Sequence, residues 1–245
     1  MQVFRQGGEY LEALEYWRWV ALAVVVLLIL GALAIVIRDA GILGLPLSVA
    51  TVVPILLATL FAGRALRRII PRIRAARKGR LGERLVTDLL ARLPDEYYLV
   101  NDIVLGAGNV DHVVTGPCGI VVIETKRVSG QIRCDGDNWF VKGRRTRSYS
   151  RQAKAAAIAV RTFLATRHPE LKDVFVRAVV VFTDPRCELR VDRAAVAVAR
   201  FSQLLPLIIE LGRSRPMAQT LARAAAQSLA DSAKCASDIG RPPLR

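Results

Sequence analysis

Histidine, methionine and cysteine are scarce in this sequence, and their scarcity narrows the chemistry that the chain can support. It contains two His, two Met and four Cys in 245 residues. Successive cysteines lie 16, 53 and 48 residues apart, so no pair has the spacing of a zinc-ligand set or of a redox motif. We therefore expect free thiols and no zinc site. The cysteines are Cys118, Cys134, Cys187 and Cys235.

Acidic residues are also few, because 21 Asp and Glu stand against 36 Lys and Arg, a formal net charge of +15. Residues 1–63 hold three Arg and four acidic residues, a net charge of −1, so the rest of the chain carries +16. Hydrophobic residues make up 53% of the chain, which excludes intrinsic disorder. The sequence divides into an apolar N-terminal part and a basic part of ordinary globular composition.

Two long stretches near the N-terminus contain no charged residue, at 19–37 and at 41–63. At about 1.5 Å rise per residue the first would span roughly 28 Å as a helix, close to the hydrocarbon thickness of a bilayer. We predict a hairpin of two transmembrane helices, about 19–37 and 43–63, after an N-terminal segment 1–18. A secretory signal peptide is the alternative, but the apolar run is too long and the residues before it are acidic.

A basic segment follows the second apolar run directly. Residues 64–80 contain eight Lys or Arg and no acidic residue. Positive charge at the end of a transmembrane helix is typical of the cytoplasmic side and also attracts anionic lipid. We therefore predict a multi-pass membrane protein with two helices, both termini in the cytoplasm, and a juxtamembrane linker at 64–80. A nucleic-acid-binding arm is the alternative interpretation of this segment.

Hydrophobic periodicity predicts an α/β domain at 81–235 and a flexible tail at 236–245. Helices and strands alternate along it in a way that indicates a mixed sheet flanked by helices. The predicted helices lie near 80–93, 150–166, 201–212 and 216–235. The predicted strands lie at 97–105, 109–115, 120–128, 131–134, 139–141, 177–183 and 194–199.

Two of these strands carry the residues that indicate chemistry. In strand 120–128, Glu124 and Lys126 lie two positions apart and so share one face. The four-residue turn before that strand makes 109–115 its antiparallel neighbour, which brings Asp111 near Glu124. Two carboxylates beside an ammonium group suit Mg²⁺ or Mn²⁺, with the lysine offsetting charge on a phosphodiester.

This arrangement resembles the PD-(D/E)xK nuclease superfamily, and within it the nuclease-related domain family, NERD. The resemblance covers residues 79–165, with the core motifs at 81–165. The residues that carry it are Gly82-Glu83, Val110-Asp111-His112-Val113-Val114, Gly119-Ile120-Val121-Val122-Ile123-Glu124-Thr125-Lys126, Gly130 and Gln152.

The resemblance implies a three-layer, restriction-endonuclease-like fold with the order αβββαβ, and Mg²⁺-dependent cleavage of phosphodiester bonds. It implies that Glu83, Asp111 and Glu124 bind the metal, that Lys126 is the catalytic lysine, and that Gln152 assists. Catalytic roles thus fall on Asp111, Glu124, Lys126 and Gln152. Two departures stand out: Arg127 replaces the Asn that is frequent in the family, and Tyr149-Ser150-Arg151 replaces the Asn-Pro that often precedes the glutamine.

Several residues have a second interpretation from the sequence alone. In the second interpretation, Glu124 and Lys126 form an ion pair whose role is structural and not catalytic. A helical wheel places Glu83 and Asp88 equally close to the apolar face and so does not choose between them. The wheel places Gln152 on a buried face of its helix. Alternation turns His112 away from Asp111, so we predict a packing or hydrogen-bonding role for it.

A basic segment lies just before Gln152, and we predict that it positions nucleic acid, since contacts to phosphates from Lys and Arg dominate such binding. A solvated turn is the alternative. The sequence therefore predicts a membrane-anchored, cytoplasm-facing nuclease whose partners are nucleic acid, with DNA expected, and the lipid bilayer. A non-catalytic module of the same fold that binds nucleic acid or protein is the second hypothesis. The predicted binding residues are Lys142, Arg144, Arg145, Arg147 and Arg151.

Overall fold

The computed structural model describes residues 2–3, 22, 25–26, 29, 31–33, 35, 49–106, 108–213 and 216–239. The chain divides into two compact units, one formed by Glu9–Lys78 and the other by Met1–Gly8 with Gly79–Arg245. The boundary at Gly79 lies close to the predicted start of the globular domain. Most of the predicted first membrane helix, and the start of the second, lie outside the described residues.

The described helices are α1 (Val49–Leu90), α2 (Tyr149–Arg167), α3 (Leu204–Leu211) and α4 (Gln219–Ile239). Short 3-10 helices occupy Pro169–Leu171 and Phe201–Gln203. Among the described residues, no helix combines the length and the apolar character that crossing a bilayer requires. Isolated positions at 22–35 are helical.

The segment 64–80, predicted as a linker, is instead helical and forms the middle of α1. Arg and Ala, which make up most of this segment, are good helix formers, and a run of like charges does not outweigh that preference. The helix predicted near 80–93 is therefore the last part of a longer element. It ends at Leu90, and the turn that follows leads to Pro94.

In the described part of the chain, ten strands form two sheets. The main sheet has six strands, in the order β1-β2-β3-β4-β8-β10. The second sheet has four, in the order β7-β6-β5-β9. The strands are β1 (Gln2–Val3), β2 (Tyr98–Leu105), β3 (Gly108–Gly116), β4 (Gly119–Lys126), β5 (Gly130–Asp135), β6 (Asn138–Val141), β7 (Arg144–Arg145), β8 (Val176–Phe182), β9 (Cys187–Asp192) and β10 (Ala197–Arg200).

Helices cover both faces of the main sheet. One apolar core joins α2 and α4 to one face, through residues such as Val160 and Leu229. A second core joins the last turns of α1, and α3, to the other face, through Val86 and Ile208. The central strand β4 pairs antiparallel with β3 and parallel with β8, and seven of its eight residues are buried. The predicted order αβββαβ is present as α1, β2, β3, β4, α2 and β8, in a mixed α/β fold.

The second sheet holds the start of α2 in place. Its inner face is built around Trp139, which packs on the rings of Tyr149 and Phe182. The Trp139 indole N–H donates to Ser150 Oγ at 2.6 Å. Because Ser150 lies in the first turn of α2, this contact fixes the N-terminus of the helix beside the end of β4.

Three strands differ from the sequence prediction. The N-terminal β1 pairs parallel with the start of β2, and β9 pairs parallel with β5; neither was predicted. The basic segment predicted as a loop contains the two-residue strand β7. Each of these elements is short or polar, so that its residues lack the apolar alternation from which strands are predicted.

Candidate functional site

The candidate site lies where β3 and β4 cease to pair. Their ladder runs from the turn as far as His112 and Ile123, and the next positions in register are Asp111 and Glu124. Beyond that point β4 continues only beside β8, and β3 beside β2. The backbone N–H of Thr125 donates to Asp111 Oδ2 at 2.8 Å, so a side chain replaces the missing strand partner. The predicted proximity of Asp111 to β4 is confirmed.

Glu124, Lys126 and Gln152 form one hydrogen-bonded group on the α2 side of the sheet. Glu124 is 2% exposed, and Lys126 Nζ donates to its Oε1. The Gln152 amide, in the first turn of α2, donates to the same carboxylate. The Lys126 ammonium also lies 5.4 Å from the centre of the Tyr149 ring. The prediction that Glu124 and Lys126 share a face is confirmed.

Burial, together with the negative charges of neighbouring carboxylates, raises the pKa values of acidic residues in the site. Burial raises the pKa of Asp111 well above its usual value, and the charges of Glu124 and Glu83 raise it further. Burial also raises the pKa of Glu124, against the opposing effects of Lys126 and Gln152. The site therefore favours a proton or a cation between its carboxyl groups.

Glu83 joins this group from α1. Burial raises its pKa, and the negative charges of Asp102 and Glu124 raise it further, which shows that its carboxylate lies within electrostatic reach of both. Asp88, the other candidate on this helix, is exposed. The structure therefore decides between the two acidic residues that the helical wheel left open. The role of Glu83 as a metal ligand stays a prediction.

The donor set of the site fits a hard divalent cation. Carboxylate oxygens are the preferred ligands of Mg²⁺, which commonly takes only one or two of them from a protein and keeps several waters. Asp111 and Glu124, opposite each other in register, supply such a pair. Within the described residues, no three His, Cys, Asp or Glu side chains are grouped closely enough to form a complete ligand set by themselves.

Asp102 is an acidic residue of the site that the sequence analysis missed. It occupies the position of β2 opposite Asp111 in register, is 6% exposed, and accepts a hydrogen bond from Asn109 Nδ2 at 2.9 Å. Its φ angle of +54° is unusual for a residue other than glycine, and strained backbone of this kind is concentrated at functional sites. The signal available in the sequence was the pair Asn101-Asp102, two poor strand formers inside an apolar strand.

Burial was predicted for two polar residues near the site, and the structure confirms it for His112 but not for Gln152. His112 is buried, as predicted for a packing residue: its Nδ1 lies 2.7 Å from Asn101 Oδ1, and burial lowers its pKa to about 3. Gln152, predicted on a buried face, is exposed. The wheel was wrong because Ser150 and Ala153, not Gln152, are the buried positions in this part of α2.

The predicted nucleic-acid-binding residues lie in the open, beside the site. All five are exposed, and the segment leads directly into the α2 turn that contains Tyr149 and Gln152. Two of them have polar contacts. Arg145 Nη2 donates to Asn138 Oδ1 at 2.9 Å, and Arg151 Nε lies 3.9 Å from the Asp137 carboxylate. Their position allows them to contact a polyanion that enters the site.

Comparison with known proteins gives one match. No curated protein and no solved structure matches the chain. The family model described as the nuclease-related domain, NERD, matches residues 78–183. This range begins beside Gly79, includes Glu83, Asp111, Glu124, Lys126 and Gln152, and ends just after β8. The resemblance predicted from the sequence is thus confirmed, since residues 78–183 match the model of the nuclease-related domain family.

Proposed function

We propose that this protein is a membrane-anchored nuclease that faces the cytoplasm and hydrolyses phosphodiester bonds of nucleic acid, with DNA as the expected substrate and Mg²⁺ or Mn²⁺ as cofactor. The observation that carries the proposal is the convergence of Asp111, Glu124 and Lys126 where β3 and β4 part, with Gln152 bonded to Glu124. This group lies at an accessible end of β4, beside exposed basic residues.

Each residue has a role that follows from its contacts. Asp111 and Glu124 would hold the metal, which would supply Lewis-acid activation of water and of the phosphate. Lys126 lies against Glu124 and would offset the negative charge that develops on the phosphodiester. Gln152 and the Thr125 N–H orient the two carboxylates. Glu83 is proposed as a further ligand from α1.

The test is metal-dependent cleavage by the purified full-length chain. Single-stranded, duplex and branched DNA, and RNA, are incubated with Mg²⁺, Mn²⁺ or EDTA. We expect cleavage only with metal, and a loss of about 10²-fold or more in Asp111→Asn, Glu124→Gln and Lys126→Ala. Glu83→Gln should lose activity, whereas Asp88→Asn, an exposed acid on the same helix, should keep it.

Thermal melts separate this site from a purely structural ion pair. A metal site predicts that Mg²⁺ stabilises the parent and that this gain disappears in Asp111→Asn. A structural pair predicts no response to metal, and a loss of about 3 to 5 kcal/mol in Lys126→Ala, because a buried charge is left unpaired. The second pattern, together with absent cleavage, would contradict the nuclease proposal.

A non-catalytic module is the second candidate function. It is favoured by the ion pair between Lys126 and Glu124, which neutralises both groups and holds the lysine. In that case the chain binds nucleic acid, or another protein, without turnover. Binding to labelled DNA in EDTA that is unaffected by Mg²⁺, with no cleavage of any substrate, is the result that would favour it.

The proposed membrane anchor rests on the charge-free stretches 19–37 and 41–63 and on exposed apolar side chains. Val25, Val26, Ile35 and Leu60 are each more than 40% exposed, which is expected of side chains that contact lipid. The basic residues Arg64, Arg67 and Arg68, which follow Leu60 on α1, are exposed as well. Fractionation of cells is the direct test: an anchored protein stays with membranes after carbonate and high-salt washes.

A further inference from the structure

A second polar cluster lies on the α1 side of β4, behind the candidate site. Thr125 and Arg127 alternate with Glu124 and Lys126 along the chain. The side chains of Thr125 and Arg127 therefore point to the opposite face of the sheet. Thr183, at the end of β8, lies beside them, and its N–H donates to the Lys126 carbonyl at 3.0 Å. These residues therefore flank the predicted catalytic lysine.

Each member of this cluster has a buried polar atom without a hydrogen-bond partner among the described residues: Thr125 Oγ1, Arg127 Nη1 and Thr183 Oγ1. The two threonines are 8% and 5% exposed. Buried polar groups are almost always satisfied, and a native structure leaves few exceptions. Three orphaned groups on side chains that all neighbour Gly82, one of them a guanidinium donor, indicate a ligand that accepts hydrogen bonds.

Glycine at position 82 makes room for the cluster. A Cβ on Gly82 would lie 2.9 Å from Thr183 Oγ1, 3.2 Å from Arg127 Cβ and 3.3 Å from Thr125 Cγ2. The first distance is below any normal contact, so a larger residue would displace the hydroxyl. The Thr183 hydroxyl, the Arg127 Cβ and the Thr125 methyl group thus surround Gly82 of α1.

Arginine side chains supply positive charge at the cluster. Arg127 has no carboxylate within ion-pair distance in the described part of the chain. Thr183 lines a cavity of about 260 Å³ together with Arg200, and the acidic residue in that cavity, Asp184, is paired with Arg186 at 3.2 Å. An adjoining cavity of about 610 Å³ shares Arg200 and is lined by further arginines and Glu188.

We propose that Thr125, Arg127 and Thr183 form a phosphate-binding subsite, whose ligand is a phosphate oxyanion supplied by a nucleic-acid strand or by free phosphate. Two hydroxyls and a guanidinium match the acceptor oxygens of phosphate and its charge. Arg127 supplies that charge where the resembled family frequently has a neutral Asn, so the subsite is a feature of this sequence. Phosphate binding itself does not depend on the proposed function. Only the assignment of nucleic acid as the source of the phosphate rests on it.

The primary test measures phosphate binding without metal or cleavage. The full-length chain is melted in EDTA with increasing inorganic phosphate, and with chloride at matched ionic strength. We expect a saturable stabilisation by phosphate alone, and about tenfold or greater loss of affinity in Arg127→Asn. Thr183→Val should also lose affinity, whereas Thr183→Ser, which keeps the hydroxyl, should retain it. Arg92→Asn, an exposed arginine elsewhere on the domain, is the matched control.

A second arm identifies the source of the phosphate. Binding of one short oligonucleotide, with and without a 5′-phosphate, is compared in EDTA between the parent and Arg127→Asn. Equal weakening of both assigns the subsite to an internal phosphodiester, and weakening of the phosphorylated form alone assigns it to a strand end. Loss of the inorganic phosphate response alone assigns it to free phosphate.

The proposal is overturned if phosphate stabilises the parent no more than chloride does, or if Arg127→Asn and Thr183→Val keep the parent's affinity. Because the assay contains no divalent metal, its outcome is independent of turnover. Cleavage without a phosphate response contradicts the subsite alone, and a phosphate response without cleavage contradicts the nuclease proposal alone.

Discussion

Asp111 is the residue whose environment most directly predicts a measurable property, the dependence of stability on pH. Its carboxyl group is bonded to the Thr125 N–H, yet burial and the charges of Glu124 and Glu83 raise its pKa. An acid whose pKa is higher in the folded state stabilises the fold at low pH, and that contribution is lost as the pH rises through the folded pKa.

Replacing Asp111 with Asn removes this titration, so the variant should gain stability over the parent as the pH rises. In EDTA, the difference in melting temperature between Asp111→Asn and the parent should be small near pH 4, close to the usual pKa of 3.8. It should widen at higher pH. Comparing the two proteins at each pH cancels the titration of groups that do not interact with Asp111, so the difference reports Asp111 and its neighbours Glu124 and Glu83. A difference that stays constant over the whole range would contradict the raised pKa.

The residue-level predictions succeeded where they depended on strand period alone. The shared face of Glu124 and Lys126, and the opposite orientation of His112, follow from the alternation of side chains in any strand. Asp102 and Gln152 were misjudged because their positions depend on a left-handed backbone angle and on where α2 begins relative to the sheet. Neither property is encoded in a local pattern of polar and apolar residues.

Among the elements, the basic segment before α2 makes the clearest prediction. Changing Arg144, Arg145 and Arg147 together to Ala removes three exposed charges that lie beside the site. Nucleic-acid affinity should fall, and the slope of log K against log salt should become shallower by about 2 to 3 for duplex DNA, since each phosphate contact contributes about 0.9.

Binding isotherms at several salt concentrations, in EDTA, measure this slope. Arg161→Ala, an exposed arginine later on α2, is the control and should leave the slope unchanged. If the triple variant keeps the parent's slope, the segment is only a solvated turn and the nucleic acid follows another path.

The existence of the apolar elements was predictable, whereas element ends and the short or polar strands were not. The strands of the main sheet between residues 98 and 182 were found because their apolar residues form strong runs or alternate. α1 was cut short in the prediction because the charged segment 64–80 has no apolar periodicity, although its residues favour a helix. Most side chains of β9 are exposed. The strand forms by pairing with β5, a long-range contact that cannot be predicted from the sequence of β9 alone.

At the scale of the whole molecule, the predicted topology places both ends of the chain in the cytoplasm. A reporter that is active only in the cytoplasm should be active when it is fused after Arg245. The same reporter fused before Met1 should also be active. A fusion after residue 39, between the two predicted membrane helices, should report the opposite side. Periplasmic or extracellular activity of the Arg245 fusion would contradict the predicted orientation.

The domain and its family were predictable at this scale because the motifs of the site are close together in the sequence, from Gly82 to Gln152. The pairing of β1 with β2 was not, since it joins Gln2 to Tyr98 across nearly a hundred residues. Local patterns carry no information about a contact at that separation. In the sequence, the predicted membrane hairpin falls between β1 and β2, and it stays a prediction.

The pairing of β1 with β2 also sets an order of events during synthesis. Gln2 and Val3 leave the ribosome before their partners Tyr98 and Leu99, which follow only after the whole intervening segment has been made. The edge of β2 therefore stays unprotected until the start of the chain returns to it, and closing so long a loop carries an entropic cost. If the intervening residues are inserted in a bilayer, insertion must bring the chain back to the compartment it left before the sheet can be completed.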